Sequence, residues 1–376
     1  MPGNFDTFTD RELAHYSRHL NLREVGPQGQ ARLKNASVLL IGLGGLGSPL
    51  AMYLAAAGVG RLGIVEFDTV DASNLHRQVL FGSSQVGQPK LACGAERLRD
   101  LNPHIAIEEH ACALSRDNAR EIVRQYDIVA DGADNFATRY LVNDACVLEG
   151  KPLVSSSILA FEGQLSVYNH DGGPCYRCLF PVPPPPGVVP SCAEGGVLGI
   201  LPGVMGTLQA TEVIKLVLGL GDVASGRLVH YDALALAFSS FNVSRDSRCN
   251  ICGDRPEITE LVDYDAFCGA GAAADSLVPQ LSPAEAAGLL DAADTVFIDV
   301  RDTHERLVDS LPQSEHIPLN ELIQGGVPFP SSVRLVIYCA SGSRSLVAAE
   351  SLIRRGHTLV HNLEGGLSGW RRELRD

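Results

Sequence analysis

From Ala36 to Gly60 the chain runs 25 positions without Asp, Glu, Lys or Arg. Such a run is long enough to span a bilayer, but six glycines and Pro49 break it into VLLIG, LGGLG and SPLAMYLAAAG. That pattern predicts a buried strand over 37–42, a tight turn and a helix begun at Pro49 rather than a membrane span. Arg61 to Glu66 predicts the next strand, and Asp127 to Ala130 a later one. Towards the C-terminus the alternation resumes. TVFIDV, RLVIYC and TLVHNLEGG read as strands, with SRSLVAAESLIRRG between the last two as a helix. Strand and helix alternating in this way predict an α/β chain with mainly parallel sheets.

A chain of 376 residues is too long for one typical domain. GAGAAAD, at 269–275, is its most linker-like stretch. The expected organisation is therefore a first domain over 1–255, a linker over 256–280 and a second, smaller α/β domain over 281–376. The run Pro183–Pro186 reads as a rigid crossover loop within the first domain. Hydrophobic residues at 45% and charged residues at 20% set disordered and fibrous classes aside. A formal net charge of −14 disfavours nucleic acid as a partner. The opening MPGNFDTFTDREL lacks the basic and apolar stretches of a secretory signal, so the ten cysteines are expected reduced, in the cytoplasm, with no membrane partner.

Candidate chemistry begins at Gly42-Leu43-Gly44-Gly45-Leu46-Gly47, which follows a strand and opens a helix. Glycines let backbone N–H groups approach a phosphate chain, and the helix N-terminus adds partial positive charge. Glu66, at the end of the next strand and about 20 residues on, is placed to hold ribose hydroxyls. These residues suit NAD and ATP equally. Beyond them come Asp68, Asn74, Arg77, Lys90 and the pair Asp134-Asn135 in DGADN. A hydride transferase needs no Arg and Lys aimed at a triphosphate, whereas an adenylating enzyme needs them and a carboxylate for Mg²⁺. The constellation favours ATP.

GLGGLGSPLAMYLAAAGVGRL, EFDTVDASNLHRQVLF, VGQPK, NPHI, DGADN, EGQLSVY, PCYRCLF and SCAEGGVLG occur in this order. Over about residues 10–252 the chain resembles the MoeB/ThiF adenylyltransferases, relatives of the ubiquitin-activating enzymes. The resemblance implies a Rossmann-like adenylation domain in which Gly45, Glu66, Asn74, Arg77, Lys90, Asp134 and Asn135 contact ATP, with Asp134 the Mg²⁺ ligand. It implies that Arg18, in HYSRHL, reaches into the ATP site of the other subunit of a homodimer. Cys192, in the proline-rich crossover, matches the cysteine that can attack an activated carboxyl terminus. Two positions depart from the family pattern. Glu66 stands where Asp is common, and His15 replaces the first basic residue of the usual RYxR start.

Cys175 and Cys178 form one CxxC pair and Cys249 and Cys252 another, 70 residues apart. Four thiolates suit tetrahedral Zn²⁺ with no open position, hence a structural site; a redox dithiol is the competing reading. The same motif in the resembling family favours zinc.

In the C-terminal domain the strand 334–338 delivers Cys339-Ala-Ser-Gly-Ser-Arg344 ahead of a helix. Backbone N–H groups wrapped around Cys339, with Arg344 beside it, would favour a thiolate or a negatively charged persulfide, which makes Cys339 the best nucleophile candidate. FIDVRDTHE, SEHIPLNEL and NLEGGLSGW with this loop resemble the rhodanese family over about residues 280–376. A Cys-phosphatase loop spaces its Arg one residue further, and HIPLN lacks the usual GHIPGA form. Together the two resemblances imply ATP-dependent adenylation of a ubiquitin-like sulfur-carrier protein ending in Gly-Gly. Sulfur transfer from a Cys339 persulfide follows, fed by a cysteine desulfurase or by thiosulfate. An NAD-dependent oxidoreductase fused to a rhodanese, a non-catalytic binding scaffold and a plain thiosulfate sulfurtransferase are the rival readings.

Overall fold

The computed structural model describes residues 8–184, 195–268 and 278–374. Residues 184–194 apart, the chain divides into two compact units, one running to Tyr264 and one starting at Asp265. Cys192 and the GAGAAAD stretch lie outside the described residues. Among the described residues, no helix is long and apolar enough to cross a membrane.

The first unit is built on an eight-stranded sheet. In chain order its strands are β1 (Ser37–Ile41), β2 (Arg61–Val65), β3 (Ala106–His110), β4 (Ile128–Asp131), β5 (Leu153–Leu159), β6 (Glu162–Tyr168), β7 (Arg227–Asp232) and β8 (Ala237–Asn242). Their spatial order is β3-β2-β1-β4-β5-β6-β7-β8. The first five are parallel and the last three extend the sheet antiparallel. All five residues of β1 are buried, as expected of a central parallel strand covered on both faces. The helix Leu201–Leu218 packs across β5 and β6 and against helix Gly47–Ala57. That approach needs Gly206, where a Cβ would lie 2.5 Å from the Leu46 carbonyl oxygen and 2.7 Å from Pro49 Cγ.

The helix after β1 starts two residues earlier than the sequence suggests, at Gly47, with Pro49 inside its first turn. A Cβ on Gly47 would sit 2.0 Å from the Gly42 carbonyl oxygen, so the backbone itself packs there and only glycine fits. Residues 256–264, expected in the linker, belong to the first unit. Ile258 packs on the cysteine cluster, and the buried Tyr264 donates its hydroxyl to Asp144 Oδ2 at 2.6 Å.

The second unit holds a five-stranded parallel sheet of β9 (Gln280–Leu281), β10 (Thr295–Asp299), β11 (Glu315–His316), β12 (Arg334–Tyr338) and β13 (Val360–Leu363). Its order is β11-β10-β12-β13-β9. β12 is central, and its residues 335–338 are fully buried. Helix Ser343–Arg354 follows it and turns Ala348, Ala349 and Leu352 into the core.

Candidate functional site

In the parallel order β3-β2-β1-β4-β5 the chain leaves β1 towards β2 on one side and reaches β4 on the other, which opens a crevice at the carboxyl ends of β1 and β4. The glycine loop, Glu66 and the loop Asp131–Asn135 all lie at strand ends there. Gly44 has no atom within 4 Å of where a Cβ would be, so the loop is open above it. A Cβ on Gly45 would lie 3.6 Å from Arg77 Cδ, which sets the Arg77 side chain beside the loop. Arg77 donates to Asn74 Oδ1 at 2.9 Å and to the Ser73 carbonyl at 3.1 Å. Lys90, 5% exposed at its side chain, starts the next helix and pairs with Asp68 at 3.0 Å.

Two expected nucleotide contacts carry other bonds. The Glu66 carboxylate accepts the N–H groups of Leu43, Phe67 and Asp68 at 2.8–2.9 Å. Three of its roughly four acceptor positions are thereby filled, so Glu66 shapes the glycine loop. Asn135 caps the helix Phe136–Leu148 by accepting the Thr138 N–H, and its amide faces Asp134 Oδ1 at 3.4 Å. Asp134 is exposed and offers the hard oxygen donors that Mg²⁺ takes.

Arg18 lies elsewhere in its own chain. It is exposed on the helix Ser17–Leu20, next to Tyr16, whose ring packs on Gly58 at the C-terminal end of helix Gly47–Ala57. The glycine loop is at the other end of that helix, which at 1.5 Å per residue is roughly 16 Å away. Arg18 is not part of its own chain's crevice.

The two CxxC pairs come together. Cys175 and Cys178 Sγ lie 3.9 Å apart, Cys175 and Cys249 3.6 Å, and Cys178 and Cys252 3.3 Å. All four sulfurs are within 4.8 Å of one another. A tetrahedron with Zn–S of about 2.3 Å has S–S edges of about 3.8 Å, so these residues fit Zn²⁺. Arg177, inside the first CxxC, forms a fully buried ion pair with Asp144 at 2.7 Å and stacks on Tyr140. The cysteine knuckle is thereby tied to helix Phe136–Leu148, a bond with no sequence signal, since Asp144 lies 33 residues away.

In the second unit the chain turns after β12 through Cys339–Gly342, with Gly342 at φ +98° capping the helix. Cys339 is 0% exposed. Its sulfur accepts the Gly342 N–H at 3.1 Å and the Ser345 hydroxyl at 3.4 Å. Arg344 places two donors on the Glu305 carboxylate, at 2.7 and 2.8 Å. Arg344, expected beside the sulfur, bonds Glu305, and the groups that donate to the sulfur are the Gly342 N–H and the Ser345 hydroxyl. Burial pushes the Glu305 carboxyl up, but the bonds and charge of Arg344 outweigh it and hold the group below its ordinary value.

Residues 16–251 match the ThiF family and residues 282–373 the rhodanese-like domain. The chain belongs to the ThiF family, with a rhodanese-like domain in its C-terminal part. Among curated relatives, the sulfur carrier protein adenylyltransferase of Thermus thermophilus is 55% identical over 267 residues, 70% of this chain and 98% of that protein. The adenylyltransferase and sulfurtransferase MOCS3 of Sus scrofa is 46% identical over 388 residues, 96% of this chain and 85% of that one. Thus one relative matches 70% of the chain and the other nearly all of it. The fold also matches crystal structures of E. coli MccB. With ATP the TM-score is 0.53 at 24% identity over 60% of this chain and 68% of that chain. With AMPCPP and MccA it is 0.59 at 24% identity over 67% and 77%.

Proposed function

We propose that this protein adenylates the C-terminal glycine of a ubiquitin-like sulfur carrier and then converts it to a thiocarboxylate. The observation that carries this reading is the presence, in one chain, of an open glycine loop with Arg77 beside it and of a loop that closes around the Cys339 sulfur. A carrier carboxylate oxygen attacks the α-phosphorus of ATP, and pyrophosphate leaves. The glycine-loop amides, Arg77 and Lys90 bind the phosphates and oppose their charge. Lys90 reaches them by leaving Asp68. Asp134 would hold Mg²⁺, which when bound neutralises phosphate charge. Arg18 of a second subunit supplies a further cation, so the working unit is a homodimer.

In the second stage the outer sulfur of a Cys339 persulfide attacks the acyl carbon and AMP leaves, forming an acyl disulfide. A thiol, Cys192 or one supplied externally, attacks the Cys339 sulfur and releases the carrier thiocarboxylate with formation of a new disulfide, which a cellular thiol reduces. The Gly342 N–H and Ser345 hydroxyl donate to the Cys339 sulfur and fix its place in the loop. Cys175, Cys178, Cys249 and Cys252 would hold Zn²⁺ with no open position, a structural role that elemental analysis tests as one zinc per chain. A cysteine desulfurase or thiosulfate supplies the sulfur, and a reducing cytoplasm suits the free thiols.

ATP–pyrophosphate exchange with a panel of Gly-Gly-ending carriers, followed by intact carrier mass after adding a sulfur donor, tests the whole scheme. Carrier-dependent exchange and a gain of about 16 Da, oxygen replaced by sulfur, are expected. Absence of exchange with every carrier, with ATP bound, overturns it.

A further inference from the structure

Asp134 can act on a cation only as accurately as its loop is held, because the residue itself is exposed and makes a single long contact, with Asn135 at 3.4 Å. The loop is fixed from beneath. Arg139, one turn into helix Phe136–Leu148 and 10% exposed at its side chain, directs its guanidinium inward. One Nη donates to the Ala133 carbonyl at 2.7 Å and to the Ser156 carbonyl at 2.9 Å; the other donates to Ser155 Oγ at 3.3 Å and lies 3.8 Å from Asp131 Oδ2. Asp131 in turn accepts the Ala133 N–H at 2.8 Å and the Ser155 hydroxyl at 3.1 Å. Both backbone groups of the residue just before Asp134 that face this side, the N–H and the carbonyl of Ala133, are thus captured by one buried pair. The Asp131 carbonyl is held from a third element, by Gln209 at 2.9 Å.

We propose that Arg139, braced by Asp131, is the positioning residue that sets the Asp134 carboxylate for adenylation. The inference rests on the reading of Asp134 as the Mg²⁺ ligand. Arg139 and Asp131 are both buried, so they act through the backbone of the Asp134 loop and not on substrate directly. A planar guanidinium spans two carbonyls, a hydroxyl and a carboxylate from one fixed fork; a lysine at the same position keeps the charge but bonds from a single point. Displacing a positioned group by about 1 Å can cost on the order of 100-fold in rate.

The test uses the full-length chain as wild type, Arg139→Lys and Asp134→Asn, each with a melting curve. The readouts are carrier-dependent ATP–pyrophosphate exchange against Mg²⁺ concentration, and Mn²⁺ binding to the ATP complex followed by electron paramagnetic resonance. Arg139→Lys is expected to lower the exchange rate about 10-fold or more and to weaken Mn²⁺ binding by a similar factor. Its metal-free ATP affinity should stay as in wild type, since the glycine loop is untouched. Wild-type Mn²⁺ binding and Mg²⁺ dependence in Arg139→Lys, with Asp134→Asn impaired, overturn the positioning role and leave the metal reading standing. Intact Mn²⁺ binding in Asp134→Asn overturns the metal reading itself. If Arg139→Lys does not fold, Ser155→Ala, which removes one bond to each member of the pair, must show the same Mn²⁺ weakening, and its wild-type behaviour overturns the proposal.

Discussion

The glycine loop after β1 and the Cys339 loop after β12 are the same backbone device used in two ways. Each follows the fully or nearly fully buried central strand of a parallel sheet, turns through a glycine at positive φ, Gly42 at +84° or Gly342 at +98°, and opens a helix. Each ends at a helix N-terminus, where unpaired backbone N–H groups carry partial positive charge. The first loop is hollow. It carries no nucleophile, Gly44 faces open space, and Arg77, from a distant segment, lies beside it. The second is filled by its own Cys339, which the Gly342 N–H and Ser345 hydroxyl contact directly, and the loop's Arg344 is tied to Glu305. On the proposed function, the open cradle takes an anion from solution and the filled one works on the sulfur it already holds. The difference lies in one side chain and in where the neighbouring cations are tethered.

The sharpest way to break the comparison is Cys339→Ala. It should leave carrier-dependent pyrophosphate exchange unchanged and reduce thiocarboxylate formation by about 1000-fold or more, read by carrier mass. Loss of both activities together would mean the loops are not separable.

Within the first loop, Gly47→Ala and Gly44→Ala should part company. Gly47→Ala forces a Cβ to 2.0 Å from the Gly42 oxygen and should cost about 3 kcal/mol of stability. Gly44→Ala meets nothing within 4 Å and should change stability by less than about 0.5 kcal/mol, yet weaken ATP binding by occupying the open space. Calorimetry of unfolding and of ATP binding separates the two, and equal stability would show that the cradle is not backbone-packed.

At the second loop, Glu305→Gln removes the carboxylate that Arg344 bonds twice and should cost about 3 kcal/mol. The Glu305 carboxyl is held below its ordinary value in the folded chain. The wild-type advantage is therefore fully present above the ordinary carboxylate range and fades as pH falls through the lowered value. A variant difference that grows on acidification would contradict this pairing.

The smallest effect is a control away from both loops. Glu149 accepts from Arg124 and Arg120 at 2.6–3.0 Å, and these bonds, opposed by burial, hold its carboxyl down at about 2. Its contribution is present at neutral pH and is lost as pH falls from the ordinary carboxylate range towards 2. The stability difference between Glu149→Gln and wild type should shrink over that interval, with both activities at pH 7 unaltered.

Much of this was legible in the sequence because the relevant chemistry is local. GLGGLG, DGADN, each CxxC and CASGSR carry the turn residues and the reactive side chains within a few positions of each other, and turn geometry is settled at that range. Helix starts were less legible. Pro49 signals a helix, but the true start at Gly47 depends on contact with Gly42 once the loop has closed. The bonds of Glu66 to Leu43 and of Arg139 to Ser155 and Ser156 had no signal, since a buried charge chooses its partners from whatever the neighbouring strand brings alongside.

The sequence by itself determined that the chain is α/β, that one strand leads into a glycine-rich loop and another into a cysteine loop, and that four cysteines form two CxxC pairs. Only the tertiary structure decided that those knuckles meet within 4.8 Å and that Tyr264 is anchored to an aspartate 120 residues before it. It also decided that Arg344 faces Glu305 and that Arg18 sits a helix length from its own glycine loop. Short-range backbone chemistry is written in neighbouring residues. The pairing of buried polar groups far apart in sequence is settled by packing, which puts each beside the one partner that removes the cost of its burial.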